Sequence, residues 1–123
     1  MSAIDLSVLS HQTTEGISYQ HLHIRITSPN GIIAPTDLKG LTVPADIIWS
    51  QGVVIEGKAP TWLYAYLVHA CHVAAWVATF DPRLGKETAH SGGGVVVATH
   101  SQQVEIGQVL SIELPSVLYE PAA

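Results

Sequence analysis

Basic residues are scarce in this 123-residue chain: five Lys plus Arg stand against ten Asp plus Glu, for a formal net charge of −5. Affinity for long nucleic acid comes largely from many Lys and Arg contacts to phosphate, so a protein that coats DNA or long RNA is excluded. A small anion held in a pocket is not. Charge of either sign is sparse, at 12% of residues, about half the usual share. Cysteine is almost absent. The single Cys71 rules out an internal disulfide, fits a reducing compartment and, set in an apolar run, reads as a buried inert thiol. Met1 to Ser10 lacks a basic segment followed by an apolar one, so no secretory signal is visible and a cytoplasmic protein is expected. From Ala59 to Phe80 there is no Asp, Glu, Lys or Arg, a stretch about long enough to cross a bilayer. It opens with Ala59-Pro60-Thr61, carries His69 and His72, and ends in the strand-like Trp76 to Phe80. We therefore read it as a deeply buried helix and strand, not a membrane span, and expect a partner subunit to complete that burial.

What the chain does have is periodicity. Its length suits one domain, residues 1–123. Tyr19 to Thr27 alternates like a strand and ends in the turn signal Ser28-Pro29-Asn30-Gly31. Ala34 to Pro44 is irregular, with a short helical turn after Pro35. Gly52 to Glu56 is a short β-branched run of the kind found in buried central strands. Gly57-Lys58-Ala59-Pro60 then feeds an apolar-faced helix from Thr61 to about Val73. Trp76 to Phe80, Val95 to Thr99 and Gln108 to Leu114 read as further strands. The order from Gly52 to Phe80 is one central βαβ unit with parallel strands. The later strands are too close together for helical crossovers. The expected class is α/β with a mixed sheet.

Chemistry can be placed on this frame. Gly57-Lys58-Ala59-Pro60 lies where a strand meets a helix N-terminus, a natural anion site, although an ordinary tight turn has the same sequence. Glu56 is awkward there and must point away or be paired. Asp81-Pro82-Arg83 closes the second parallel strand, on the edge where open α/β sheets bind ligands. Arg83 there could clamp a phosphate or stabilise charge developing on it, and the same tripeptide is also a common turn. His69 and His72 share a helix face without a third metal ligand nearby, so packing is expected for His69 and proton transfer for His72. His100-Ser101 ends the Val95 to Thr99 strand. His21 and His23 alternate with Leu22 and Ile24 and are placed on the solvent or ligand face, whereas His11 and His90 fall in polar loops.

A βαβ helix ends near the N-terminal edge of the second strand. His72 is therefore expected at the opposite end of the unit from Asp81 and Arg83, with a helix of roughly 20 Å between. If all three act on one phosphate, different subunits must supply them.

Those segments carry a resemblance. GVVIEGKAPTWLYAYLVHACHVAAWVATFDPRLG, followed by GVVVATHS, resembles the CRISPR-associated Csx-three family, the type III ring nucleases numbered three. The likeness is strong from Gly52 to Gly85, resumes from Gly94 to Ser101 and is vague before Gly52. It implies a Rossmann-like fold of the CRISPR-associated type and a homodimer that assembles head-to-tail around its ligand. It implies an enzyme that degrades the messenger cyclic tetra-adenylate to linear di-adenylate. It also implies Mn2+ dependence, with Asp81 as a candidate metal ligand, and a capacity to act on short adenylate RNA. By position, His72, Asp81 and Arg83 match the catalytic residues. Gly57, Lys58, Pro60, Thr61, His100 and Ser101 match ligand-binding positions.

Three departures stand out. Lys86 to Gly93 lengthens the connection after the Asp-Pro-Arg turn, Gln102-Gln103 replace an expected acidic residue, and Lys58 replaces an arginine. Lysine meets phosphate as a point charge without a fork. The competing readings are a non-catalytic sensor of the same messenger and a Mn2+-dependent 3′ RNA deadenylase.

Overall fold

The computed structural model of the chain describes residues 3–85 and 88–118. Its six strands form one sheet in sequential order: β1 (Ile4–Gln12), β2 (Ser18–Ile26), β3 (Gly52–Glu56), β4 (Trp76–Asp81), β5 (Ser91–Thr99) and β6 (Val109–Glu113). The single α-helix among the described residues, α1 (Thr61–Ala70), connects β3 to β4. β2, β3 and β4 run parallel, while β1, β5 and β6 pair antiparallel with their neighbours. No helix among the described residues is long and apolar enough to cross a membrane.

The mixed sheet and the parallel β3–α1–β4 unit are present, but the Rossmann-like α/β expectation is overturned. Such folds cover both faces of a parallel sheet with helices, and here one helix serves a mostly-strand domain. The β2-to-β3 crossover, residues 27–51, is irregular apart from the 3-10 turn Pro35–Leu38. Pro29, Gly31, Pro35, Gly40 and Pro44 interrupt it too often for an α-helix to propagate.

Two cores lie on opposite faces of the sheet. On one, Leu63 and Leu67 of α1 pack with Leu22, Ile24, Val53, Ile55 and Val77. Burying each leucine contributes roughly 1.5–3 kcal/mol. On the other, a cluster runs from Tyr19 on β2 through Val54, Trp76 and Val96 to Leu110 and Ile112 on β6. A continuous cluster from the second strand to the sixth means the sheet curls around it. Trp76 fits because β3 offers no side chain at Gly52, where a Cβ would lie 1.9 Å from the indole.

Several boundaries depart from the periodicity. β1 was not anticipated; it is an edge strand reached through a turn in which Gly16 N–H donates to the Thr13 carbonyl. α1 stops at Ala70, three residues early, with Cys71 as its C-cap. β5 begins at Ser91, so Gly92 and Gly93 are strand positions and not part of a long loop. The sheet needs glycine there, because a Cβ on Gly92 would meet Phe80 at 2.5 Å and one on Gly93 would meet Val109 at 2.6 Å. Lys86 and Glu87, at the centre of that connection, lie outside the described residues.

Candidate functional site

The C-terminal ends of β3 and β4 form one edge of the parallel unit. At the end of β3 the chain turns through Gly57 at φ +142°, pressed so close to β2 that a Cβ would stand 2.5 Å from the Ile24 carbonyl. The Gly57 carbonyl accepts from the Tyr64 hydroxyl at 2.5 Å, which pins the turn to α1. Burial, with Glu56 nearby, pushes the Tyr64 phenol up to about 12, so it stays a donor. Lys58 is exposed, and Pro60 is the N-cap, its carbonyl accepting from Leu63 and Tyr64. Thr61 is the exposed first residue of α1. A cavity of about 210 Å³ lies here, with Gly57, Lys58 and Tyr64 on one side and Phe80, Pro82 and Leu114 on the other. A larger groove of about 640 Å³, between β1 and residues 36–45, contains none of the predicted residues.

At the end of β4, Asp81 grips Arg83. Its Oδ1 accepts from the Arg83 backbone N–H at 2.9 Å and from Nε at 3.1 Å, and its Oδ2 accepts from Nη2 at 2.9 Å. Those bonds from Arg83 hold the Asp81 carboxyl down at about 2. The guanidinium is therefore fixed on one side, with its remaining N–H groups and most of its surface open to solvent.

The opposite edge carries the other predicted pair. His72, just past α1, donates from Nδ1 to the His69 carbonyl at 3.0 Å, and the two rings stack at 5.6 Å. That bond leaves Nε2 as the acceptor in the neutral ring. His69 is exposed, so the packing expected of it is limited to that stack on His72. His100 Nε2 donates to the His72 carbonyl at 2.9 Å, tying the end of β5 to the end of the helix. Ser101 adjoins it, its backbone N–H donating to Thr99 Oγ1 at 3.0 Å.

The structure thus gathers Gly57, Lys58, Asp81 and Arg83 at one edge and His72, His100 and Ser101 at the other. In the register, Trp76 pairs with Thr99 at the histidine end and Asp81 with Gly93 at the arginine end. Five strand steps separate them, about 16 Å.

A third group was read only in part from sequence. Of the solvent or ligand face expected for His21 and His23, the solvent alternative falls, because both are buried. His21 Nε2 and His23 Nδ1 donate to the same Glu56 oxygen, at 2.7 and 2.8 Å. Burial pushes the Glu56 carboxyl up, but the two imidazole bonds outweigh it and the net shift is downward. The expected partner of Glu56 is therefore this histidine pair. The parallel register of β2 on β3 sets His21 beside Val54 and His23 beside Glu56, all on the face opposite α1. An acidic residue ending an apolar strand was the available signal. His11, placed in a loop by sequence, lies in β1 and stacks on Tyr19 at 5.8 Å.

Fold and edge geometry define a small mixed-sheet domain whose basic turns and histidine corner face away from each other. The family model for CRISPR-associated protein (Cas_csx3) matches residues 26–111, and the chain belongs to that family. An uncharacterized protein of Aquifex aeolicus (strain VF5) is 34% identical over 84 residues, covering 66% of this chain and 69% of its own.

Proposed function

We propose that this CRISPR-associated protein is a ring nuclease that opens cyclic tetra-adenylate to linear di-adenylate, at a site built between subunits. The observation carrying this reading is the segregation of a preformed Asp81–Arg83 fork and a tautomer-fixed His72 to opposite edges of one unit. Stacked head to tail, two copies bring one chain's arginine edge against the other's histidine edge. A cyclic tetranucleotide has only four phosphates, which an acidic protein can meet with one Arg and one Lys per chain.

The chemistry follows from the groups. A ribose 2′-hydroxyl attacks the adjacent 3′ phosphorus in line, and the P–O bond to the 5′ oxygen breaks. One such cleavage opens the ring, and a second at the opposite phosphate releases two di-adenylates, each with a 2′,3′-cyclic phosphate and a free 5′-hydroxyl. His72 takes the 2′ proton or supplies the 5′ proton, an effect of typically ~10²–10⁴ in rate. Arg83 stabilises the charge on the non-bridging oxygens, held in orientation by Asp81.

Within one chain, Asp81 is a poor metal holder: both its oxygens accept from Arg83. The donor cluster among the described residues lies elsewhere. In this reading Asp81 positions Arg83.

The test is incubation of the purified protein with cyclic tetra-adenylate, with and without Mn2+, beside His72→Ala. Di-adenylate from the wild type, with binding but little turnover by the variant, supports the enzyme. Binding without product by both supports a sensor instead, and trimming of oligoadenylate RNA alone supports a deadenylase.

A further inference from the structure

The groups used above leave the most unusual cluster of the molecule without a role. We infer that His21, His23 and Glu56 form a binding site for one first-row divalent transition-metal ion. Their donor atoms, one per side chain, lie within 4.8 Å of one another, and all three residues are buried. His21 Nε2 and His23 Nδ1 converge on one Glu56 oxygen at 2.7 and 2.8 Å. Around a tetrahedral or octahedral ion with bonds of about 2.1 Å, donor atoms stand roughly 3.0–3.4 Å apart. The two imidazole–carboxylate distances therefore need to lengthen by only a few tenths of an ångström, and the two imidazole donors already stand within 4.8 Å of each other.

No second hydrogen bond opposes that adjustment at His21: its Nδ1 is buried with no hydrogen-bond partner, and the ring is held by its Nε2 bond and an edge-on contact with the His23 ring. The backbone side is already rigid, because adjacent parallel strands hold His23 and Glu56 in register. Two imidazoles and one carboxylate select zinc, iron, manganese or cobalt over magnesium and calcium, which take oxygen ligands. Three protein ligands leave coordination positions open. Glu56 lines the 210 Å³ cavity shared with Lys58 and Pro82, so an ion here has a route in from the surface and a ligand-sized space beside it. The site does not depend on the phosphodiesterase reading.

The experiment uses the full chain, stripped with chelator and then titrated separately with Zn2+ and Mn2+. Stoichiometry is measured on desalted protein, and the Mn2+ form is examined by pulsed electron paramagnetic resonance. We expect one ion per chain and nitrogen couplings from coordinated imidazole. Glu56→Gln keeps an oxygen to accept both imidazole bonds and so preserves the fold, which circular dichroism verifies. It should weaken binding by at least ~100-fold, beyond the range for losing an outer-shell partner. Asp81→Asn should leave stoichiometry and couplings unchanged. Failure of the wild type to take up either ion, or an ion bound without imidazole couplings, overturns the assignment. So does full affinity in folded Glu56→Gln. If Glu56→Gln does not fold, the wild-type couplings decide the matter alone.

Discussion

Two inactive variants should restore each other's activity. In a single chain, His72 and Arg83 are separated by the length of β4, about 16 Å, and Arg83 is tied back onto Asp81. Acting on one phosphate requires both within about 3 Å of it, which one copy does not provide. His72→Ala and Arg83→Ala should therefore each lose ~10²–10³-fold or more in turnover. An equimolar mixture, allowed to exchange subunits, contains chains that still carry one functional edge each. Where junctions are heterologous, about one in four unites an intact histidine edge with an intact arginine edge. The mixture should recover about a quarter of the wild-type rate per site, orders of magnitude above either parent. The assay is product formation from cyclic tetra-adenylate, with the double variant mixed into each single variant as the blank. A mixture no faster than the sum of its parents would refute a site shared between subunits.

Three further outcomes follow from local geometry. Gly52→Ala sets a Cβ 1.9 Å from the buried Trp76 ring and should cost ~3 kcal/mol or more; Trp76→Leu in the same chain should recover part of that in a denaturant-unfolding cycle, and strict additivity would contradict the contact. The Asp81 carboxyl should titrate near 2 by NMR and return towards 3.8 in Arg83→Gln. Because its folded value is depressed, the interaction is fully present above the ordinary carboxylate range and is lost as pH falls through about 2. Burial pushes the Cys71 thiol from 9.0 up to about 11, so alkylation at pH 8 should run at least ~100-fold slower in native than in unfolded protein; equal rates would show that the helix end opens freely.

Much of this frame is legible in local sequence. β2, β3, β4 and β6 are visible because alternation and β-branched runs report burial directly, and α1 because Leu63 and Leu67 fall on one face. The separation of His72 from Arg83 was deducible from βαβ geometry alone. The misses are non-local. Ile4, Leu6 and Val8 alternate in β1, but an edge strand shows a half-buried pattern too weak to stand out. Gly92 and Gly93 read as loop because the side chains that need their space, Phe80 and Val109, belong to other strands. The histidine–glutamate cluster depends on a parallel register between segments more than thirty residues apart, which local periodicity does not encode. The Rossmann-like expectation, drawn from the family resemblance, failed because only one of the two crossovers is helical and the other is too rich in proline and glycine to be so.

The close approach at Gly57 links features that otherwise look independent. The turn bearing Lys58 has no slack against Ile24, so an anion that presses it inward must carry β2 with it. β2 also carries His21 and His23. Occupancy of the basic turn and the spacing of the imidazole pair are thus mechanically in series, and strain applied at the surface is delivered to the most polar part of the interior.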